Sequence, residues 1–458
     1  MSFIKSYGVS LPHFRVDDSV LNINGNKSFS KAVCFSDEDI ITLAFQAAKE
    51  CINGDENKID AIFFATTSPV FKNRYHATFI ADLLGLKNIN FSLDFIGTDR
   101  SGTDAILVAH QLVNSGKNSN ILIIATDVRY SSIGEEISTN FGHGACAITV
   151  SDEKGIAEIK DTFHVSSFIA EEFTYKNNEV KYDPRYIRDE GFKKNMIAVS
   201  AKVQKYIGET EKNILNSKYF KMAIPVFAKS GFNENQFSVD AISPSIGNTG
   251  VASAFFRLIS EIENQTKNIL LIDYSNGSNV LYINLKDFTN KTILKRKLEN
   301  FEKIKTYQDF LKLRKSGNFN SAKYKSVDIF SSEMMNNREK DSFIRLEGTK
   351  CNACQTIYLI KTQRCKKCKS ENFIKTKISE NGKVYTFTSE HYFPATFPPV
   401  TMIVANMKNG GRITLQQTDC MYPEDNKIEI GSEVKLVLRK MTEFDSNPDY
   451  FLKAIVKK

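Results

Sequence analysis

The sequence predicts an α/β protein of two similar halves, followed by a smaller all-β module. Three observations carry this reading. Over about the first 150 residues, helix-period stretches alternate with continuous apolar runs, the pattern of strands covered on both faces by helices. From about 195 to 286 the same order of signals returns. In roughly the last hundred residues helix signals give way to short alternating strands separated by turns such as Asn409-Gly410-Gly411, as in a small barrel. A chain of 458 residues needs two or three such cores.

Each element has a local reason. DEDIITLAFQAAKECI places Ile40, Leu43, Ala44, Ala47 and Ala48 on one helical face behind a Ser36-Asp37 start signal. DAIFFAT is a buried strand, and HATFIADLLGL a helix that ends near Gly85. Phe91 to Leu112, FSLDFIGTDRSGTDAILVAHQL, passes from strand through a small-residue corner into a helix. NILIIATDV is again a strand, and FGHGACAITV a glycine-broken turn that returns into one. In the second half MIAVSAKVQKYIG reads as a helix and MAIPVF as a short strand. SPSIGNTGVASAFFRLISEIE is a glycine turn opening a helix, and NILLIDYSNGSNVLYINL two strands joined at Asn276 and Gly277. A lysine-rich helical stretch then becomes polar and irregular, a connector that docks on one domain or the other. The barrel strands are KVYTFTSEHYF, TMIVANMK, RITLQQTD, EVKLVLRKM and YFLKAIVKK.

The net charge of +8 suits an acidic partner such as coenzyme A phosphates or nucleic acid, and equally a solvated lysine surface. No signal peptide or membrane-length apolar run is legible, so a cytoplasmic protein is expected. CNACQTIYLIKTQRCKKC holds Cys351, Cys354, Cys365 and Cys368 as two C-x-x-C knuckles. Two such knuckles complete a tetrahedral sulfur set for zinc, and a closed set of four thiolates is structural. Lys361, Arg364, Lys366, Lys367 and Lys369 around it could touch nucleic acid. The barrel strands offer little aromatic interleaving beyond Tyr385, Phe387, Tyr392 and Phe393, which makes that the lesser reading.

The corner at Asp99 has two local readings. A strand that turns abruptly into a helix presents unpaired backbone N–H groups and a partial positive charge, a place where nucleophiles and carboxylates are held. Asp99 or Ser101 could equally cap the helix. His143, between Gly142 and Gly144, could face a pocket or support a turn, and His164 is a weaker candidate of the same kind. Cys146 reads as a buried small hydrophobe, and His76 and His110 as packing or surface residues.

IKSYGVSLPHFRV, FIGTDRSGTDAI, FGHGACA, SPSIGNTGVAS and LIDYSNGS together resemble the thiolase superfamily, in its 3-hydroxy-3-methylglutaryl-CoA synthase-like and ketoacyl synthase III-like branch. GKVYTFTSEHYF, GGRITLQQTDC and IGSEVKLVLRKM resemble the rubredoxin-type zinc ribbon plus OB-fold module that accompanies such enzymes. The resemblance implies a layered αβαβα fold with halves at 1–165 and 166–288, a helical connector at 289–345, a zinc ribbon at 346–375 and an OB-fold barrel at 376–458. It implies acyl transfer or condensation on coenzyme A or acyl carrier protein thioesters, a homodimer, and a barrel that covers the pocket mouth or bridges to a partner. It aligns Asp99 with the acyl-carrying cysteine and Thr67 with a glutamate, and expects a histidine around Met222 to Phe227, where none stands. Asn248 in GNTG matches the family pattern, and its amide could donate to a developing oxyanion. His143 is the third catalytic candidate, and Thr67, Thr98, Gly247 and Gly277 are expected to line the substrate site. Three functions follow: an acyltransferase or condensing enzyme working without an acyl-cysteine, a non-catalytic acyl-CoA-binding subunit of a thiolase partner, or a nucleic-acid-binding protein.

Overall fold

The computed structural model describes residues 1–21, 29–131, 133–134, 140–175, 178–286, 292–314, 333–360, 362–393, 395–424, 427–442 and 448–457. They gather into two compact units. The first unit comprises Met1–Val33, Leu43–Asp82 and Leu86–Lys305.

Its core is one nine-stranded sheet. The first half supplies β1 (Ser2–Ser10), β2 (Ala61–Thr66), β3 (Phe91–Ile96), β4 (Asn120–Asp127) and β5 (Gly144–Ser151). The second supplies β6 (Ala157–Ser166), β7 (Lys212–Asn216), β8 (Asn268–Tyr274) and β9 (Gly277–Leu285). The order is β7-β8-β9-β6-β1-β5-β4-β2-β3. Outward from the β1/β6 junction both arms follow one plan, β1-β5-β4-β2 and β6-β9-β8-β7, and in each arm the last strand runs parallel to its neighbour. A lone bridge between Asn213 and Phe237 stands where the second arm would add a counterpart of β3. Every residue of β2 and β4 is buried, which is why both read as continuous apolar runs rather than alternating ones.

The helices are α1 (Ile40–Ile52), α2 (His76–Leu84), α3 (Ser101–Asn114), α4 (Lys194–Val203), α5 (Phe220–Lys229) and α6 (Ser253–Glu263). α3 and α6 share the large core with strands of both arms. They approach closely at Gly102, where an added Cβ would meet the Val251 carbonyl oxygen at 2.8 Å and the Phe255 ring at 2.9 Å. α4 and α5 cover the second arm with Met196, Val199, Ala223 and Phe227 against Leu215 and Leu270.

One element differs from the sequence reading. MAIPVF is not a strand but lies within α5, and the strand is the preceding Lys212–Asn216. β-Branched residues and Pro225 suggested extended chain, but the four-residue spacing of the buried Ala223 and Phe227 prevails. The connector also does not choose one unit. Its helix Ile293–Glu299 lies in the first, whereas Tyr307–Leu313 and Glu333–Phe343 lie in the second.

The second unit comprises Cys34–Thr42, Leu83–Gly85 and Thr306–Lys458. Strands β10 (Glu347–Cys351) and β11 (Phe373–Lys377) pair in the ribbon. The barrel strands are β12 (Asn381–Glu390), β13 (Val400–Met407), β14 (Arg412–Gln416), β15 (Glu433–Thr442) and β16 (Asp449–Val456), in the order β14-β13-β12-β15-β16. A parallel bridge from Gln417 to Ala454 nearly closes the cylinder, around Val384, Ile403, Ala405, Leu436 and Leu438. Arg439 is buried there with Asp419 at 2.8 Å and Glu38 at 3.0 Å, and burial pushes the Glu38 carboxyl up.

Candidate active site and metal centre

The corner begins where β3 ends. Gly97, at φ +152°, turns the chain, and nothing lies within 4 Å of the position a Cβ would take there. Ser101 closes the turn: its Oγ accepts the Thr98 N–H at 3.1 Å and its N–H donates to the Thr98 carbonyl at 2.9 Å. Asp99 does not cap the helix. Its carboxylate pairs instead with Arg129, Oδ1 to Nη1 at 2.9 Å and Oδ2 to Nη2 at 3.4 Å. The side chain remains 35% exposed, so one face of the carboxylate is open to solvent. The Thr98 hydroxyl oxygen is buried and has no hydrogen-bond partner among the described residues.

Two further segments meet Asp99 through Arg129. Its guanidinium lies 4.4 Å from the Phe141 ring centre, and its carbonyl oxygen is 3.0 Å from His143 Nε2. His143 is buried and braces Arg129 from behind. Phe141 bridges to Asn248, and a Cβ on Gly250 would stand 2.9 Å from Arg129 Nη2. The structure therefore brings Asp99, His143 and Asn248 around Arg129. Asn248 Oδ1 accepts from the Gly250 N–H at 2.9 Å and from Ser253 Oγ at 3.1 Å, which fixes the amide orientation. Its Nδ2 makes no hydrogen bond among the described residues and is a donor available to a ligand.

The glycines of this region permit close backbone approach. A Cβ on Gly142 would lie 1.8 Å from the Ile246 carbonyl oxygen, and one on Gly247 would lie 2.9 Å from Gly142. That contact holds the loops of the two halves together, with Asn248 N–H donating to the Asn140 carbonyl at 2.7 Å. Gly277, at φ +107°, sits in the β8–β9 hairpin with the Val165 carbonyl oxygen 2.5 Å from its would-be Cβ. It reaches the corner only through its hairpin, where the Ser275 carbonyl accepts Arg100 Nε at 2.9 Å.

Sequence reasoning missed the group that organises the first half of the site. Asp127, at the end of β4, is fully buried and accepts six hydrogen bonds. Thr66, Thr67 and Ser68 give hydroxyls, Thr67 and Ser68 give N–H groups, and the Val251 N–H arrives from the start of the α6 segment. The Thr67 hydroxyl is thus committed to Asp127 at 2.9 Å. An acid closing an otherwise apolar strand, NILIIATD, was the available signal. Asp273 of β8 is the corresponding acid in the second half. It accepts Asn216 Nδ2 at 2.8 Å and the Thr103 hydroxyl at 2.7 Å, and burial pushes it up to about 7.

The remaining candidates stand apart. His164 is exposed beside Ser166, with Nε2 2.8 Å from its Oγ. His76 is buried, Nδ1 on Asp94 at 2.7 Å, while Nε2 accepts the Val70 and Phe71 N–H groups at 3.1 Å each. His110 is buried between Ser2 and Asn114. Cys146 lies in the large core, and burial pushes its thiol well up, which leaves it protonated and inert.

In the ribbon the four sulfurs lie within 4.8 Å of one another, with Cys351 to Cys368 at 3.5 Å and Cys354 to Cys365 at 3.4 Å. Zinc–sulfur bonds of about 2.3 Å put tetrahedral sulfurs about 3.8 Å apart, so the set fits the ion. The two knuckles repeat each other: Gln355 N–H donates to the Cys351 carbonyl and Lys369 N–H to the Cys365 carbonyl, both at 2.9 Å. Gln355 and Lys369 both adopt positive φ, +62° and +65°. Arg364, Lys366, Lys367 and Lys369 are exposed, and Lys361 lies outside the described residues. No described helix is long and apolar enough to cross a membrane.

No protein-family model matches the chain. A hydroxymethylglutaryl-CoA synthase of Methanosphaera stadtmanae is 25% identical over 336 residues, covering 68% of this chain and 96% of that protein. The crystal structure of 3-oxoacyl-[acyl-carrier-protein] synthase III from Aquifex aeolicus superposes with a TM-score of 0.52 at 20% identity, over 62% of this chain and all of that one. An HMG-CoA synthase complexed with CoA does so with a TM-score of 0.54 at 18% identity, over 66% of this chain and 88% of that one. With its paired arms and central helices, the first unit has a thiolase-like fold, similar to the folds of these synthases.

Proposed function

We propose that this chain transfers or condenses acyl groups carried by coenzyme A or an acyl carrier protein, without forming an acyl-cysteine. The observation that carries the reading is the Asp99 corner: a solvent-open carboxylate, oriented by Arg129, at the strand-to-helix turn that the resemblance aligns with the acyl-carrying cysteine. The names of the similar proteins, a CoA-complexed synthase and an acyl-carrier-protein synthase among them, support the substrate class. A carboxylate makes a poor acyl carrier, because a mixed anhydride is readily lost to water. The proposed step is therefore direct. The acceptor attacks the thioester carbonyl while Asp99 takes its proton, Asn248 Nδ2 donates to the developing oxyanion, and the thiolate leaves and regains the proton. Thr98 is the second candidate donor, by its unpartnered hydroxyl. The proposal includes a homodimer, for which the exposed Phe91 and Ile96 on outermost β3 speak. It includes a structural zinc on the four ribbon cysteines, a set suited to the reducing cytoplasm.

A second reading is supported by the same residues. Arg129 occupies Asp99 and Asp127 occupies Thr67, so the chain could bind an acyl-CoA while a thiolase partner supplies the chemistry. Titration with acetyl-CoA, intact-mass analysis and turnover assays separate the cases. Direct transfer predicts binding, no covalent adduct, and loss of turnover in Asp99→Ala and Asp99→Asn. The binding-subunit reading predicts turnover only with a thiolase partner. An acyl adduct on Cys146 or another thiol overturns both, and tight binding of single-stranded RNA without acetyl-CoA binding favours the nucleic-acid reading.

A further inference from the structure

Beneath the corner, the Thr103 hydroxyl stands between two acceptors and a donor. Its oxygen lies 2.7 Å from Asp273 Oδ2 and 2.9 Å from the Arg100 carbonyl oxygen, while Asn279 Nδ2 donates to it at 2.9 Å. A hydroxyl has one proton, so it serves one acceptor at a time. The Arg100 carbonyl has a second donor in the Asp104 N–H at 3.0 Å, whereas among the described residues Asp273 otherwise has only Asn216 Nδ2.

We propose that the proton on Asp273 decides which acceptor Thr103 serves, and so adjusts the corner that carries Asp99. With Asp273 ionised, the Thr103 hydroxyl donates to its carboxylate. With Asp273 protonated, the acid O–H donates to Thr103 Oγ1, whose two lone pairs then receive Asp273 and Asn279. Its own proton turns to the Arg100 carbonyl and tightens the first turn of α3. Each donor and acceptor named here is matched in both states, and the change needs one proton and one hydroxyl rotation.

The surrounding charges come from three sides. Asp99 and Asp104, at the corner and on α3, favour the bound proton, while Arg257 on α6 opposes it. Arg100 reaches the same network through Asn279 Oδ1 at 2.8 Å, and β7 and β9 contribute the neutral Asn216 and Asn279. Burial first, and then these carboxylates, push Asp273 up to about 7, so both states are populated near neutral pH. Asp273 is a positioning residue: it acts through Thr103 and not on the substrate. The proposal rests on the acyl-CoA reading only for its functional readout.

The test follows acetyl-CoA affinity, together with hydrogen exchange of the Ser101 to Asp104 amides corrected for intrinsic rates, from about pH 6 to pH 8. The wild type should change affinity by about fivefold, the worth of one hydrogen bond, and show an exchange step with a midpoint near 7. Asp273→Asn, whose amide donates permanently to Thr103, should abolish both steps. Thr103→Val should uncouple the corner, and Thr103→Ser should restore it. A step that survives in Asp273→Asn or in Thr103→Val overturns the proposal. If acetyl-CoA binds at no pH but the exchange step is present and lost in Asp273→Asn, the switch stands and the acyl-CoA reading fails. Binding without any step has the opposite meaning.

Discussion

The two halves of the first unit each bury an aspartate on equivalent strands and treat it differently. Ile121 of β4 pairs with Ala61 of β2, and Ile269 of β8 pairs with Lys212 of β7, which sets Asp127 and Asp273 near the same end of their arms. Each carboxylate receives the start of the other half's central helix segment, Val251 N–H on Asp127 and Thr103 of α3 on Asp273. Among the described residues Asp127 collects six donors and Asp273 two. The lesson is that duplication fixes where a buried charge stands, whereas the loops around it decide whether it is an anchor or an adjustable group. Six donors hold the first carboxylate in one place, whereas the second, sparsely supplied in a dry site, holds a proton easily.

The sharpest way to break this contrast is Asp127→Asn. The amide keeps the shape but sets its own N–H groups against donors, and the variant should lose about 3–5 kcal/mol in urea unfolding. A loss below 1 kcal/mol would erase the distinction between the two sites.

Asp273→Asn should move the other way with pH. The folded-state value, about 7, lies above the ordinary 3.8. Stability contributed by the bound proton is therefore complete below about pH 4 and is lost as pH rises through about 7. The asparagine variant lacks this loss. Relative to wild type, its stability should climb between those limits by up to about 1.4 kcal/mol per pH unit, one proton's slope, and level off above. Chemical denaturation at several pH values measures it, and a flat difference would mean that Asp273 does not exchange a proton over this range. Gly142→Ala tests the contact between the loops of the two halves. With the Ile246 carbonyl 1.8 Å from the new Cβ, the backbones must part, at a cost of about 1–3 kcal/mol. Acetyl-CoA affinity should fall with it, because Asn248 shares that contact.

What the sequence disclosed and what it hid divide along the same physical line. NILIIATD and NILLIDY announced buried strands, because burial on both faces leaves a local apolar record. The cysteine knuckles were legible for a similar reason, since each is closed by its own neighbours. Asp99 was found from its corner, but its partner Arg129 was not, since that pairing joins segments 30 residues apart. Asp127 and Asp273 were hidden further still, because their donors arrive from as far as 124 and 170 residues away. MAIPVF misled because composition favoured a strand, while packing on Leu215 and Leu270 favoured a helix face.

The smallest expected effect is also the most direct comparison. Thr66→Val and Thr103→Val each delete one buried hydroxyl that donates to one of the two aspartates. In the first case five donors remain, and the Ser68 N–H that the Thr66 oxygen also accepted keeps Asp127 Oδ1 at 3.1 Å. In the second, Asp273 keeps only Asn216, although Asn279 Nδ2 retains Asp104 Oδ1 at 2.8 Å. At about pH 8, where Asp273 is mostly ionised, Thr103→Val should cost about 1.5 kcal/mol and Thr66→Val about 0.5 kcal/mol. The difference arises because one missing donor matters in proportion to how few are left. Equal losses in paired urea titrations would mean that donor number does not set the strength of these sites, and the division into anchor and adjustable group would fall.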